Sequence, residues 1–406
     1  MYDDPGEQVK YLVICPSGKW QIPIIREAKS RGLSTIAVDE DSNAAGFKHA
    51  DYVVNAALED TTYITDEIKK VTHKIIGAIS FCSDKGISLA QKLNREFQCS
   101  PKLIFNSDNA TNKINQRNLW KRRNIPQPEF QSFTNPQEAI VFGTSVTFPI
   151  VIKPSDSSGS RGVTIVSHAD EVKGAVEYAF KFSTSGKIIV EDFIDGLEYT
   201  VEVLAIDSKV HVLLVTQKVQ ISNDNCVVSR ELRTISPQHH SYKQISSLAK
   251  SAFESLGLSN GPGHLEMIVN QEAGTAGVVE AAFRGGGFNL ADRLVEVATS
   301  FDLTKACLGP FMNDRINPGE ITYRPSTLFF QPTRKGKLIG ISGLEQVKKI
   351  PGVEIEILGT LGKLYDIPRT DGDRLCTIIA TASTDSELDL KKSQIEGLLE
   401  FRFEEI

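Results

Sequence analysis

The chain has 406 residues, with 45 basic and 51 acidic side chains and a formal net charge of −6. A content of 40% hydrophobic and 24% charged residues supplies a core and excludes wholesale disorder, and the mild acidity argues against nucleic acid as a partner. No apolar run reaches the ~18 residues of a membrane span, and the acidic start Met1-Tyr2-Asp3-Asp4-Pro5 lacks the basic and apolar regions of a secretion signal, so a cytoplasmic protein without membrane partners is expected.

The first hundred residues alternate strand-like and helix-like patterns. Short apolar runs at Tyr11–Cys15, Ser34–Val38 and Ile75–Phe81 are followed, after the first and third, by amphipathic stretches from Gln21 to Lys29 and from Ile87 to Phe97. Buried strands alternating with helices predict a doubly wound parallel sheet, which places Ser17-Gly18 and Ser83-Asp84 on the rim where such sheets bind ligands. A polar, turn-rich joint over residues 100–112 suggests a boundary near 108. A basic helix over about 110–123 then carries Lys113, Arg117 and Lys121 at i, i+4 and i+8, on one face. Further on, a helical stretch at Pro136–Val141, strands at Phe148–Lys153 and Val163–Val166, a helix at Ala169–Phe182 and a strand at Lys187–Asp192 are read in turn. Alternation over Tyr199–Val203 and the apolar run Val210–Val215 predict two more strands, joined by a turn at Asp207-Ser208. Strands at His264–Val269 and Gly277–Ala282 and a final helix at Leu388–Leu399 follow. The cysteines at 15, 82, 99, 226, 307 and 376 show neither metal-ligand nor redox spacing, so no disulfide framework or zinc site is expected.

Four segments carry chemistry-bearing residues. Lys153 ends an apolar strand and leads into Pro154-Ser155-Asp156-Ser157-Ser158-Gly159-Ser160-Arg161-Gly162, whose small residues allow backbone N–H groups to approach phosphate oxygens; a plain hairpin connection has the same composition. Glu191, Asp192, Glu198 and Glu202 interleave with apolar residues around a turn, as acceptors for an adenine amine and ribose hydroxyls or as solvated surface acids. Glu266 and Glu280 lie on strands joined by a short link. In one register they face each other, and two opposed like charges then ask for a cation between them. In the other register they point to opposite faces. Oxygen ligands without Cys or His favour Mg²⁺. Last, Arg284-Gly285-Gly286-Gly287 sets a guanidinium suited to carboxylate or phosphate beside bare backbone.

The order of these segments resembles the ATP-grasp superfamily and, within it, the carboxylate–amine ligases, over roughly residues 10–320. The resemblance implies an α/β protein, with an ATP-grasp fold following an N-terminal doubly wound parallel-sheet domain. The implied division is an N-terminal α/β domain over 1–108, a lid subdomain over 109–193, a catalytic subdomain with the metal strands over 194–319, and an appended α/β segment over 320–406. It further implies that Lys113 and Lys153 hold ATP phosphates, and that Ser157, Ser158, Gly159, Ser160 and Gly162 belong to a mobile lid loop. Glu191 would read the adenine amine, with Phe193 and Ile194 as hinge and Glu198 on the ribose. Glu266 and Glu280 would hold Mg²⁺, with Mn²⁺ as an alternative, and Arg284 would steady an acyl phosphate or a substrate carboxylate. Ala282 departs from the family pattern, standing where Glu-x-Asn often supplies a third ligand.

The implied reaction activates a carboxylate as an acyl phosphate and lets an amine displace phosphate, giving an amide, ADP and phosphate. Arg284 and Lys153 would be the catalytic cations, and Arg230, Arg233, His264, Gly286 and Gly287 candidate substrate contacts. The implied partners are a small-molecule acid and amine, with amino acids the expected class, and a homodimer is compatible with this reading. A purine-biosynthetic ligase or carboxylase and a nucleotide-binding module without ligase activity are the alternatives. A dinucleotide-dependent dehydrogenase is disfavoured, because Cys15-Pro16-Ser17-Gly18-Lys19-Trp20 follows the first strand in place of G-x-G-x-x-G.

Overall fold

A computed structural model describes residues 9–99, 107–220 and 228–405; Cys226 and residues 100–106 of the polar joint lie outside these. Strands β1 (Tyr11–Ile14), β2 (Ser34–Asp39), β3 (Tyr52–Asn55) and β4 (Gly77–Ile79) form a parallel sheet in the order β3-β2-β1-β4. Leu12, Val13, Ile14, Ile36 and Val38 are all buried, because helices cover both faces and leave no polar side to alternate with. Strand β3 escapes a reading by pattern: of its four residues only Val54 is buried.

Next comes a small antiparallel sheet of β5 (Phe130–Phe133), β6 (Ile150–Pro154), β7 (Thr164–Val166) and β8 (Ile188–Asp192), ordered β5-β8-β6-β7. Helices Pro136–Ser145 and Val172–Phe182 close its core, in which Ala139, Ile150, Ile152, Val176 and Val190 are packed.

The largest sheet has eight strands. From the middle of the chain come β9 (Leu197–Ile206), β10 (Lys209–Gln220), β11 (Ser229–Thr234), β12 (Gly261–Asn270) and β13 (Thr275–Ala282). The last segment supplies β14 (Ser326–Pro332), β16 (Val353–Ile357) and β18 (Arg374–Thr381), and the order is β13-β12-β9-β10-β11-β14-β18-β16. The remaining strands, β15 (Gly336–Ser342), β17 (Leu364–Tyr365) and β19 (Glu400–Glu404), make a three-stranded sheet ordered β17-β15-β19. Residues 320–406 are therefore woven into the central sheet through the β11–β14 ladder, which corrects the expectation of an appended segment. One core cluster joins Leu12, Ile25 and Phe81 of the N-terminal region to Leu290 and Leu308 and to Phe330 of β14, so the three regions share buried surface. The five described cysteines are free thiols, and no described helix is long and apolar enough to cross a membrane.

Candidate nucleotide and substrate site

In the small sheet, Glu191 of β8 stands opposite Val151 of β6, so Lys153, two residues further on, lies diagonally on the same face. Lys153 Nζ meets Glu191 Oε1 at 2.5 Å, and Arg117 donates to Glu191 Oε2 from Nη2 at 2.8 Å and from Nε at 3.1 Å. All three side chains are buried. Burial would raise the Glu191 carboxyl, yet Arg117 and Lys153 hold it below its ordinary range.

Arg117 rides on helix Lys113–Arg122, which starts at Asn112, whose side chain accepts from the N–H groups of Ile114 and Asn115. Arg117 also donates to the carbonyls of Val278 at 2.7 Å and Val279 at 2.9 Å, so the helix is pinned to β13. One turn earlier, Lys113 Nζ donates to the carbonyl of Ser157 at 2.6 Å and to Glu280 Oε1 at 3.0 Å. The expected cationic face is thus built from Lys113 and Arg117; Lys121 is exposed and paired with Glu129.

Glu266 and Glu280 are direct cross-strand partners in the antiparallel β12–β13 hairpin, with a bulge just after Glu266. Strand β9 lies on the other side of β12 and carries Glu198, which accepts from Lys218 of β10 at 2.6 Å and from Gln220 at 2.7 Å. Lys218 also lies 3.7 Å from Glu266. Burial would lift the Glu266 carboxyl, but Lys218 foremost, then His264 and Arg284, hold it well below the usual range. His264 Nδ1 is bonded to Glu202, which also accepts the Gly286 N–H at 3.0 Å. Burial would depress the His264 imidazole, whereas Glu202 and Glu266 push it up to about 9. Arg284 makes a two-pronged contact with Asp84, at 3.1 and 3.0 Å, tying the glycine-rich turn to the rim of the parallel sheet.

Several of these groups line a cavity of about 420 Å³. Lys113, Lys153 and Glu191 stand on one side, Glu198, Lys218, Glu266 and Glu280 on the other, with Phe193 and Ile194 between the sheets and Val151, Ile165, Leu197 and Ile268 as apolar walls. Ser157, Ser158, Gly159 and Ser160 cross its mouth, and Gly159 and Ser160 hold positive φ of 67° and 60°. A second cavity of about 210 Å³ shares His264, Glu266, Arg284, Ser158 and Gly159 with the first and is lined further by Gly286 and Gly287. A wider, open groove of about 680 Å³ between Arg26, Asp292 and Glu354 lies away from these carboxylates, and internal ion pairs such as Arg293–Glu354 and Lys19–Glu356 neutralise its charges.

Among the described residues no group of three or more His, Cys, Asp or Glu gathers as a ready-made metal cage. Two opposed glutamates, one held strongly ionised, fit Mg²⁺, an ion held by one or two carboxylates and completed by phosphate oxygens and water. Three expected contacts are not brought to the cavities. Arg230 pairs with Glu396, and Arg233 with Asp385 and Asp389, because their strand β11 is flanked by the acidic helix Asp385–Leu398. Gly162, at φ 78°, packs against Pro154 and Phe182, where a Cβ would meet them at 2.7 and 3.0 Å. Conversely, Lys218, Asp371 and Arg374 line the two cavities although no motif names them, while Arg117 and Asp84, marked in the sequence by spacing and rim position alone, serve as the ion-pair partners of Glu191 and Arg284. The i, i+4 spacing from Lys113 marked Arg117. The polar alternation Thr216/Lys218/Gln220, continuing past Val215, marked Lys218.

Residues 146–292 match the family model described as an ATP-grasp domain. The L-arginine-specific L-amino acid ligase of Bacillus subtilis is 24% identical over 295 residues, covering 68% of each chain. The chain spans about two thirds of the length of the curated relatives it matches. Among solved structures, the L-amino acid ligase of Bacillus licheniformis superposes with a TM-score of 0.84 at 21% identity, covering 98% of this chain and 100% of that one. The N5-carboxyaminoimidazole ribonucleotide synthetase of Thermotoga maritima gives 0.73 at 18%, covering 98% and 100%. Residues 146–292 therefore carry an ATP-grasp domain, and the chain as a whole has the ATP-grasp fold.

Proposed function

We propose that the protein is an ATP-dependent carboxylate–amine ligase, which joins two amino acids, or an amino acid and another small acid, through an acyl phosphate. The observation that carries this reading is the adjacency of the two cavities: a slot with two buried lysines and two opposed glutamates shares Lys218, His264, Glu266 and Arg284 with a smaller chamber beside it. The likeness to L-amino acid ligases supports the substrate class.

In this reading the apolar walls take the adenine, Glu198 accepts from the ribose, and Lys113 and Lys153 spread phosphate charge. Mg²⁺ held by Glu266 and Glu280 would supply charge neutralisation for the phosphates. Arg284, kept in place by Asp84, faces the developing charge where the substrate carboxylate takes the γ-phosphoryl group. The Ser157–Gly159 stretch excludes water, which would otherwise hydrolyse the acyl phosphate. The amine attacks the activated carbonyl, the C–O bond to phosphate breaks, and the amine proton leaves with phosphate or water.

The test is ADP release across all pairs of the twenty amino acids, with mass spectrometry of the products. The expected outcome is ADP with a matching dipeptide mass for at least one pair, abolished in folded Glu280→Gln. Turnover with phosphorylated ribosyl compounds and none with amino acids would replace this reading by the purine-type one.

A further inference from the structure

Arg374, the first residue of β18, carries the last segment's own cation into the smaller cavity. Its guanidinium is buried, with the central carbon 3.6 Å from the ring centre of Phe330 and 4.4 Å from that of Phe288. Among the described residues all of its hydrogen bonds run through Nη2, to Ser229 Oγ and to Asp371 Oδ1, each at 2.5 Å, and to the Ser229 carbonyl at 3.5 Å. Nε is buried with no partner. The rings stabilise the charge but accept no hydrogen bonds, and an unsatisfied donor on a buried cation is costly. Asp371 is itself shared, accepting from Ser229 at 3.4 Å and Ser160 at 3.5 Å. Arg284, the other guanidinium of the cavity, already spends its fork on Asp84.

The cavity's volume equals about seven waters, room for one amino acid and too little for a nucleotide. Its permanent cations, Lys218, Arg284 and Arg374, are matched by Asp84, Glu266 and Asp371, which suits a zwitterion better than a dianionic phosphate.

Resting on the ligase reading, we propose that Arg374 receives the unreacting carboxylate of the amine-side amino acid, whose side chain lies against the rings of Phe288 and Phe330. A planar fork matches a carboxylate in two-pronged fashion. It also keeps that carboxylate away from the phosphoryl group, so that only the other substrate is activated.

Calorimetric titration of the full chain with the twenty L-amino acids, in Mg²⁺ and ADP, tests this directly. The best binder is then compared with its methyl ester, which keeps amine and side chain but loses the charge. The wild type should bind the acid at least tenfold more tightly than the ester. Arg374→Gln should bind both equally, near the wild-type ester value, with ADP affinity unchanged, and Arg374→Lys should fall between. If Arg374→Gln does not fold, Arg374→Lys carries the same comparison. An acid-to-ester ratio that survives in the variants, or a wild type that binds none of the twenty, overturns the subsite. Amide synthesis is scored separately. Product with an unchanged ratio in Arg374→Gln sinks the subsite and leaves the ligase; ratio loss without any amide from the wild type does the reverse.

Discussion

Lys153, Arg117 and Glu191 place two cations around one buried carboxylate, leaving one positive charge in excess, which in the proposed reading a phosphate would satisfy. The arrangement makes the two ends of the triad unequal. In Lys153→Ala, Glu191 keeps both contacts from Arg117, so the fold should lose only about 1–2 kcal/mol, while ATP affinity falls about tenfold or more. In Glu191→Gln, two buried cations lose their anion, and a cost of about 3–5 kcal/mol is expected. Urea denaturation and ATP titration of both variants separate these effects; unaltered ATP affinity in Lys153→Ala removes that lysine from the site. Asp292, in the open groove, gives a pH signature of its own. Burial first, with a smaller push from Glu356, raises its carboxyl from 3.8 to about 6 against Arg293 and Asn289. The native chain therefore binds that proton more tightly than the unfolded chain between these values, and the stability this confers is complete below about pH 4 and lost as pH rises through about 6. Asp292→Asn should leave the melting temperature nearly unchanged at pH 4 and raise it relative to wild type at pH 7. A pH-independent difference would refute the burial argument.

Helix Lys113–Arg122 shows how a local signal can place a site. Asn112 satisfies two N–H groups at its start, and within the next five residues Lys113, Gln116 and Arg117 are held against β13. Asn112→Ala should cost about 1 kcal/mol and, because both cations ride on this helix, raise the KM for ATP several-fold; Asn112→Asp should restore both. An unchanged KM alongside the stability loss would uncouple the cap from the site. This helix was legible because its basic residues recur at helical spacing, and the hairpin bearing Glu266 and Glu280 because its link is short. The face on which the two glutamates meet was not legible, since one residue of slip reverses it and only the bulge and the flanking β9 ladder fix the register. Helix Tyr242–Leu256 carries the same kind of signal: Ile245, Ala249, Ala252, Phe253 and Leu256 mark its buried face amid a serine-rich surface. Strand β11 suggested substrate contacts instead of a structural role because Arg230 and Arg233 find their partners on a helix more than 150 residues away in sequence, a distance no local pattern reports.

At the scale of the molecule, the cleft has no single owner. The parallel sheet contributes Asp84, the small sheet Lys153 and Glu191, the large sheet Glu266 and Glu280, and the last segment Asp371 and Arg374. The contribution of residues beyond 320 was invisible in the sequence because its strands carry no motif; it emerges only from long-range pairing, β11 with β14 and β14 with β18. Removing that segment would strip β14, β16 and β18 from the central sheet, expose the ladder edge of β11, and uncover Leu12, Phe81 and Leu308 where Phe330 packs in the same cluster. An unpaired edge beside an uncovered apolar face favours association over folding. A chain ending at residue 319 should therefore lack a cooperative thermal transition, bind no ATP and aggregate, even though it retains Lys113, Lys153, Glu266, Glu280 and Arg284. Recovery of a soluble 1–319 chain that melts cooperatively and binds ATP would show that the central sheet closes without its last three strands. The shared core described here would then be an accretion on a self-sufficient nucleotide-binding unit.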